Sequence, residues 1–544
     1  MGSHHHEHVV LDEQYSVSPQ AKSRILLTLV LGIVFFIIGC IGLSQNWFAS
    51  EDEHGGGHGH VSATHQVGAA HHEGSQPGEG AHVGAATEKH DDAAAADAEH
   101  KAEEHAAAAD TVVAGHTEGI QKVDGNAPDS HAVESTIEEH PSAVQTGEHS
   151  SSSVSTAPAA HHAEAGEHHG YNWMSRVWAN LWLGNVFFAG IALIGLFFVC
   201  VQYVAWAGWA TLIKRIPEAF GFWLPFAGVL MVVLFAFGHH DLFHWTHDYL
   251  HQPLLADKTA NPQYDEIIVG KEWYLNIPFY LGRMIFFFGA WITVHFIMRK
   301  YSLAEDKEAG TSVKWYNKSI FTGAIFLVIF AVSESMSAWD WVMSIDPHWF
   351  STLFGWYMFA SWWVSGLSMI ALSIIILKEK GYLQSVNINH LHNLGQFMFA
   401  FSIFWTYLWT AQFLLIYYAN LPEEAIYFIQ RRDGFNGQYS WLFYFNVINN
   451  FVFPFLFLMT RDAKRHVLFM KIAAIGLIIG HYLDFYLMIM PGVVKEHNGF
   501  GFVELGTFMI FASLFAWVVS SAISKAPLVP KNHPMLEESV YHEI

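Results

Sequence analysis

The stretch SESMSAWDWVMSIDPHW, Ser333 to Trp349, closes an apolar run and sets Glu334, Asp340, Asp346 and His348 among three tryptophans. Carboxylates and indoles mixed at the end of so apolar a segment mark the level where a helix leaves hydrocarbon for water. The whole chain agrees with that reading. Of its 544 residues 52% are hydrophobic and 16% aromatic, with only 14% charged, which is too apolar for an ordinary soluble domain. The fold class expected is all-α integral membrane.

Windows of about 20 apolar residues, the length that crosses a hydrocarbon core of ~30 Å, occur ten times. They cover roughly 25–43, 177–212, 220–238, 275–298, 315–338, 352–377, 394–419, 439–459, 467–490 and 502–523. The second is long enough to tilt, with Trp173, Trp178 and Trp182 at the headgroups.

Lys and Arg near span ends are retained on the cytoplasmic side. With the N-terminus inside, the inner segments carry 17 of them and the outer segments 9, leaving Arg283 inside the fourth span. Both termini are therefore expected in the cytoplasm, on either side of an inner-membrane body. The organisation expected is a tail over 1–24, a first helix over 25–43 that is not a cleaved signal peptide, a periplasmic loop over 44–170, a nine-helix body over 171–525 and a tail over 526–544.

The loop differs in composition from everything around it. Residues 51–170 hold 22 Asp and Glu against 3 Lys, so nearly all of the net charge of −22 resides there, along with 18 of the 36 histidines. With almost no large apolar residue it lacks the burial that would offset its ordering entropy, and disorder is expected. Its histidines read as a solvated spacer, or as loose capture of zinc or copper.

The two cysteines, Cys40 and Cys200, fall at different expected depths, so no disulfide follows. Four thiolates for an iron–sulfur cluster are lacking, and there is no C-x-x-C-H haem attachment, phosphate-binding glycine-lysine loop or G-x-S-x-G elbow. His295 and His481 lie well inside spans but at different expected depths, an arrangement unsuited to haem b. No redox centre is expected on this chain.

Ionisable groups inside spans are costly, so each is a functional candidate weighed against a structural pair. Arg283, Glu334, Asp340, His481 and Asp484, with His239, His240 and Asp241 ending the third span, all fall in the outer third of the membrane. One reading pairs Arg283 with Glu334 or Asp484 to fix helix packing. The other is a proton-handling or quinone-facing site. A quinol releases two protons as it is oxidised, so a carboxylate or histidine beside an aromatic pocket suits it; Trp339, Trp341, Trp349, Phe350 and Phe354 are candidates to line one. Amide substitutions at Glu334, Asp340 and Asp484 separate the two readings. After the third span, His240, His244, His247 and His251 recur at steps of four, three and four, one stripe if helical. That stripe reads as a zinc or copper site, a proton relay, or the polar face of a surface helix.

The runs FGHHDLFHWTH (237–247), FAVSESMSAWDWVMSIDPHWFSTLFGWYMFASWWVSG (330–366) and HNLGQFMFAFSIFWTYLWTAQFLLIYYANLPEE (392–424) resemble the F (ActF) subunit of bacterial alternative complex III, a quinol:cytochrome c oxidoreductase. That subunit belongs to the NrfD/PsrC-like membrane superfamily. The resemblance covers about 171–525 and not the acidic loop. It implies ten spans built as two four-helix bundles plus two peripheral helices. It also implies multihaem and monohaem cytochrome c subunits, an iron–sulfur subunit and a paralogous membrane subunit as partners, with a terminal oxidase as electron acceptor in some assemblies. Haem c and iron–sulfur clusters then sit on those partners, with quinol as the one candidate ligand here. Glu334, Asp340, Asp346 and His348 fall in the matching motif. Two other classes stand beside it: a secondary transporter of metal ions and a purely structural membrane anchor.

Overall fold

The computed structural model describes residues 13–45, 172–255, 257–308, 312–497 and 499–544, all within one compact unit. The expectations for residues 46–171 lie outside the described residues. Among the described residues there are two isolated β-bridges, Gln14 with Pro527 and Leu254 with Ala260, and no extended strand.

Ten helices are long and apolar enough to cross a membrane: α1 (Pro19–Ser44), α2 (Trp173–Val204), α3 (Arg215–Leu242), α4 (Ile277–Lys307), α5 (Lys314–Ile345), α6 (Leu353–Glu379), α7 (Ile388–Ala419), α8 (Ser440–Phe457), α9 (Val467–Val494) and α10 (Phe502–Ile523). Local chemistry sets several starts. Asn172 accepts from Met174 N at the head of α2, and Asn276 from Phe279 N at the head of α4. Asn387 and His390 close a reciprocal cap on α7.

The helices pack as two rings of four. In the first, α2, α3, α4 and α5 each contact their neighbours; in the second, α6, α7, α8 and α9 do the same. The rings meet where α2 touches α6 and α9 and where α5 touches α6. This makes α2 the centre of the molecule, buried on nearly every side. Its Gly190 lies so close to Trp362 of α6 that a Cβ there would fall 1.9 Å from the indole nitrogen. Helices α1 and α10 pair with each other outside the rings, through backbone approach at Gly39 and Gly506. The rest of α1 exposes Leu26, Leu27, Val30 and Ile37.

One expected boundary needs correction. The second span does not run to residue 212: α2 stops at Val204, Trp206 takes φ 55°, and a 3-10 segment, Gly208–Ile213, follows. Composition could not signal this, because the segment is as apolar as a span. The segment expected as a tail over 526–544 packs against the body of the chain. Leu528 N donates to Glu13 O, Ser539 Oγ donates to Trp209 O, and Asn387 and Asn389 both donate to His542 O. The start of α1, the α2–α3 and α6–α7 connections and the C-terminal segment therefore share one end of the molecule.

Candidate functional site

The second ring closes on Asp484. Its Oδ1 accepts from the Tyr357 hydroxyl of α6 and from Asn446 Nδ2 of α8 (3.1 Å). Its Oδ2 accepts from the Ser361 hydroxyl of α6 and from Trp405 Nε1 of α7 (2.9 Å). Each of the other three helices thus aims at least one donor at a fully buried carboxyl carried by α9. Four donors use the lone pairs of a carboxylate well, and two of them are hydroxyls that can turn to accept a proton instead. His481, one turn away, holds Nδ1 3.9 Å from Oδ2, and neither ring nitrogen has a hydrogen-bond partner among the described residues.

Two departures from regular helix build this site. In α8, Ile448–Val452 forms one turn of π-helix, with Phe453 N bonding Ile448 O. Asn450 Nδ2 then donates to Asn446 Oδ1 (3.2 Å) and Asn449 Nδ2 to Gly476 O (2.9 Å), tying α8 to α9. In α9, Pro491 has no N–H for the carbonyl of Leu487. Arg431 takes it: Nε donates to Leu487 O (3.0 Å), and Nη2 to Met488 O (2.9 Å) and to Asp346 Oδ2 (2.8 Å). Tyr427 lies under the guanidinium, 3.4 Å from its ring centre, and stacks at 3.7 Å on Trp349.

Between Asp484 and Arg431 lies a cavity of about 20 Å³, lined by Phe354, Tyr357, Trp409 and Gln412 among others. That volume admits a water molecule. The arrangement can hold and pass a proton.

Arg283 does not pair with Glu334 or Asp484. Its partner is Asp340, in a two-point bridge from Nε (2.7 Å) and Nη2 (3.0 Å) across α4 and α5 in the first ring. Tyr274 and Phe279 cover the guanidinium, and Tyr280 OH donates to Asp340 O (3.2 Å). Depth along a helix put three acids within equal reach of Arg283, and packing chose the one on the adjoining helix face.

Glu334 is apart from both clusters. It lies one turn from Phe330, which packs on Phe197 of α2 and Phe359 of α6, at the seam between the rings. Among the described residues its one side-chain hydrogen bond is from the Ser335 hydroxyl (3.4 Å), and Oε1 has no hydrogen-bond partner. Because no ion pair involves it among the described residues, Glu334→Gln should change stability by less than about 1 kcal/mol. A larger loss in thermal unfolding would reveal a charged partner.

His348 meets Asp265 (2.5 Å), which caps the short helix Glu266–Gly270. Partial burial opposes the Asp265 charge, but the Ile268 N–H and His348 outweigh it and hold the carboxyl below its usual range. A carboxyl lowered on folding stabilises above its unfolded pKa of about 3.9 and ceases to do so as pH falls through the lower folded value. The wild type should therefore lose stability relative to Asp265→Asn only below about pH 4, as read by melting temperature against pH.

Asp241 accepts from Asn172 (2.8 Å) and Ser175 (2.6 Å) and so ties α3 to the head of α2. His239 bonds back to Phe235 O (3.1 Å). The expected histidine stripe does not form one helical face. The helix ends at Leu242 because Phe243 turns extended, and two 3-10 turns carry the rest. The rings of His240 and His244 still approach His247, at 5.3 and 5.7 Å, while His251 Nε2 lies 3.1 Å from Trp245 O. Among the described residues no three His, Cys, Asp or Glu are grouped to hold a metal ion.

Several buried polar residues had drawn no notice in the sequence. Glu504 of α10 binds Arg176 (2.8 Å) and Asn180 (3.0 Å) of α2. At the other end of the first ring, Lys214 meets Glu305 (3.1 Å), Arg215 meets Asp306 (2.5 Å), and Arg299 meets Glu218 (3.0 Å). These three cations look like topology signals in the sequence, yet each is buried against an acid.

The chain is a multi-pass α-helical membrane protein. A scan of protein-family models and a search of curated proteins return no match.

Proposed function

We propose that the chain is an integral-membrane subunit of a quinol:cytochrome c oxidoreductase, and that its second helix ring handles protons at Asp484. The observation that carries this reading is the buried Asp484 carboxyl, with donors from three neighbouring helices, beside His481 and next to a cavity of water size that Arg431 also lines. A carboxyl needed only for packing would be served by one cation, as Asp340 is by Arg283. Here a proton reaching Asp484 is received by rotation of the Tyr357 or Ser361 hydroxyl, with His481 the next base within reach.

The assembly rests on the likeness of the three quoted runs to the F subunit of alternative complex III. On that reading both termini are cytoplasmic in a bacterial inner membrane, and the Asp484 end of the ring faces the periplasm. The redox centres belong to cytochrome c and iron–sulfur subunits. The first ring, with its Arg283–Asp340 bridge, is a packing element.

Mild solubilisation, capture on this subunit and a reduced-minus-oxidised visible spectrum test the assembly. A c-type haem band with iron–sulfur peptides is expected. A colourless, solitary chain would overturn it.

A further inference from the structure

The inner ends of α4 and α5 carry a cluster that no proton or packing role uses. Lys314 and Lys318 are exposed around the half-buried rings of Tyr301 and Trp315, whose centres lie 5.5 Å apart across the two helices, and the exposed Lys300 is the chain neighbour of Tyr301. Lys318 Nζ lies 4.7 Å from the Trp315 ring and 5.8 Å from Tyr301, and Lys314 Nζ lies 5.2 Å from Trp315. Two ammonium groups thus gather on one indole. The nearest carboxylates do not neutralise them. Glu305 and Asp306 turn inward to Lys214 and Arg215, and Glu308 Oε2 is buried without a donor among the described residues. Among the described residues none of these three lysines has an acidic partner.

What lies along the helices from the lysines identifies the occupant. On α5, Lys314 and Lys318 continue at helical spacing into Phe321, Ile325, Val328 and Val332, all exposed. On α4, Lys300 continues toward the middle of the span into exposed Phe296. Each stripe is cationic at the membrane surface and apolar below it, with an aromatic pair at the junction. A soluble anion would use only the first part. A cytoplasmic protein would not reach the second.

The geometry points to a binding site for an anionic phospholipid, its phosphodiester among Lys300, Lys314 and Lys318 over Trp315 and its acyl chains along the exposed stripes of α4 and α5. The site is on the same end of the molecule as Glu13 and the C-terminal segment. It is independent of the proton reading and holds whichever complex the chain serves.

The test uses the full chain in mild detergent, titrated with phosphatidylglycerol or phosphatidylcholine and read by native mass spectrometry. With about 1 kcal/mol per lysine near a charged headgroup, phosphatidylglycerol should bind at least about tenfold tighter than phosphatidylcholine, and Lys300→Gln/Lys314→Gln/Lys318→Gln should bring the two within about twofold. Because these side chains are exposed, the triple variant should keep the wild-type melting temperature. Trp315→Leu, with all three lysines present, should weaken the preference without abolishing it. Inorganic phosphate in excess should not displace the lipid. Undiminished preference in the triple variant would overturn the site. Displacement by inorganic phosphate would overturn its assignment to a lipid.

Discussion

Asp484→Ala is expected to be the most destabilising single change in the second helix ring. It removes the common acceptor of Tyr357, Asn446, Ser361 and Trp405, all fully buried or nearly so. A buried donor left without an acceptor costs about 1–3 kcal/mol. The two hydroxyls can turn to other acceptors and Trp405 Nε1 keeps the Ser361 Oγ at 2.9 Å, but the Asn446 N–H is held by its helix, so a total loss of ~2–4 kcal/mol is expected. Asp484→Asn keeps one acceptor oxygen and turns an amide N–H against donors that cannot all rotate away, at about 2–3 kcal/mol. Tyr357→Phe removes one donor and should cost only about 1 kcal/mol. Thermal unfolding of the three variants in one detergent gives the ordering. A loss for Asp484→Ala no greater than that for Tyr357→Phe would mean that Asp484 is not the hub.

In the first ring the largest effect falls on the Arg283–Asp340 bridge. Asp340→Ala leaves a guanidinium buried against Tyr274 and Phe279 with the Tyr274 carbonyl as its remaining acceptor. Removing one partner of a buried pair typically costs ~3–5 kcal/mol, whereas replacing both by apolar groups is often neutral. The double variant Arg283→Met/Asp340→Leu should therefore recover most of the stability that Asp340→Ala loses. Quinol turnover of the complex should survive in the double variant, because this bridge serves packing. A double variant as unstable as the single would show that the charges do more than neutralise each other.

How far the residues could be read in advance follows from what each signal encodes. Apolar length alone placed ten spans, since the bilayer admits few other solutions. It misplaced the end of the second span because Gly208–Ile213 is apolar while its backbone bends to meet the C-terminal segment. Asp484 and His481 stood out as ionisable groups in an apolar run. Their surroundings did not, because Tyr357, Ser361, Trp405 and Asn446 are unremarkable within spans and acquire meaning only when four helices bring them together. Arg431 entered only as one of the nine basic residues counted in the outer segments, and its task depends on Pro491 freeing a carbonyl on a different helix. Arg283 was recognised as buried but assigned to the wrong acids, since depth says neither which face of α5 meets α4 nor which helix is next door. The histidine stripe failed at Phe243, where an extended residue ends the helix that the spacing assumed.

The central claim is that Asp484 moves protons in a quinol-oxidising complex. The most direct measurement is haem-normalised quinol:cytochrome c turnover, with proton release recorded alongside, for the purified complex carrying Asp484→Asn. Loss of a positioned proton acceptor predicts turnover reduced at least about a hundredfold in complexes whose haem and subunit content is intact. Turnover and proton release equal to wild type in such complexes would contradict the account and leave Asp484 as a packing residue alone.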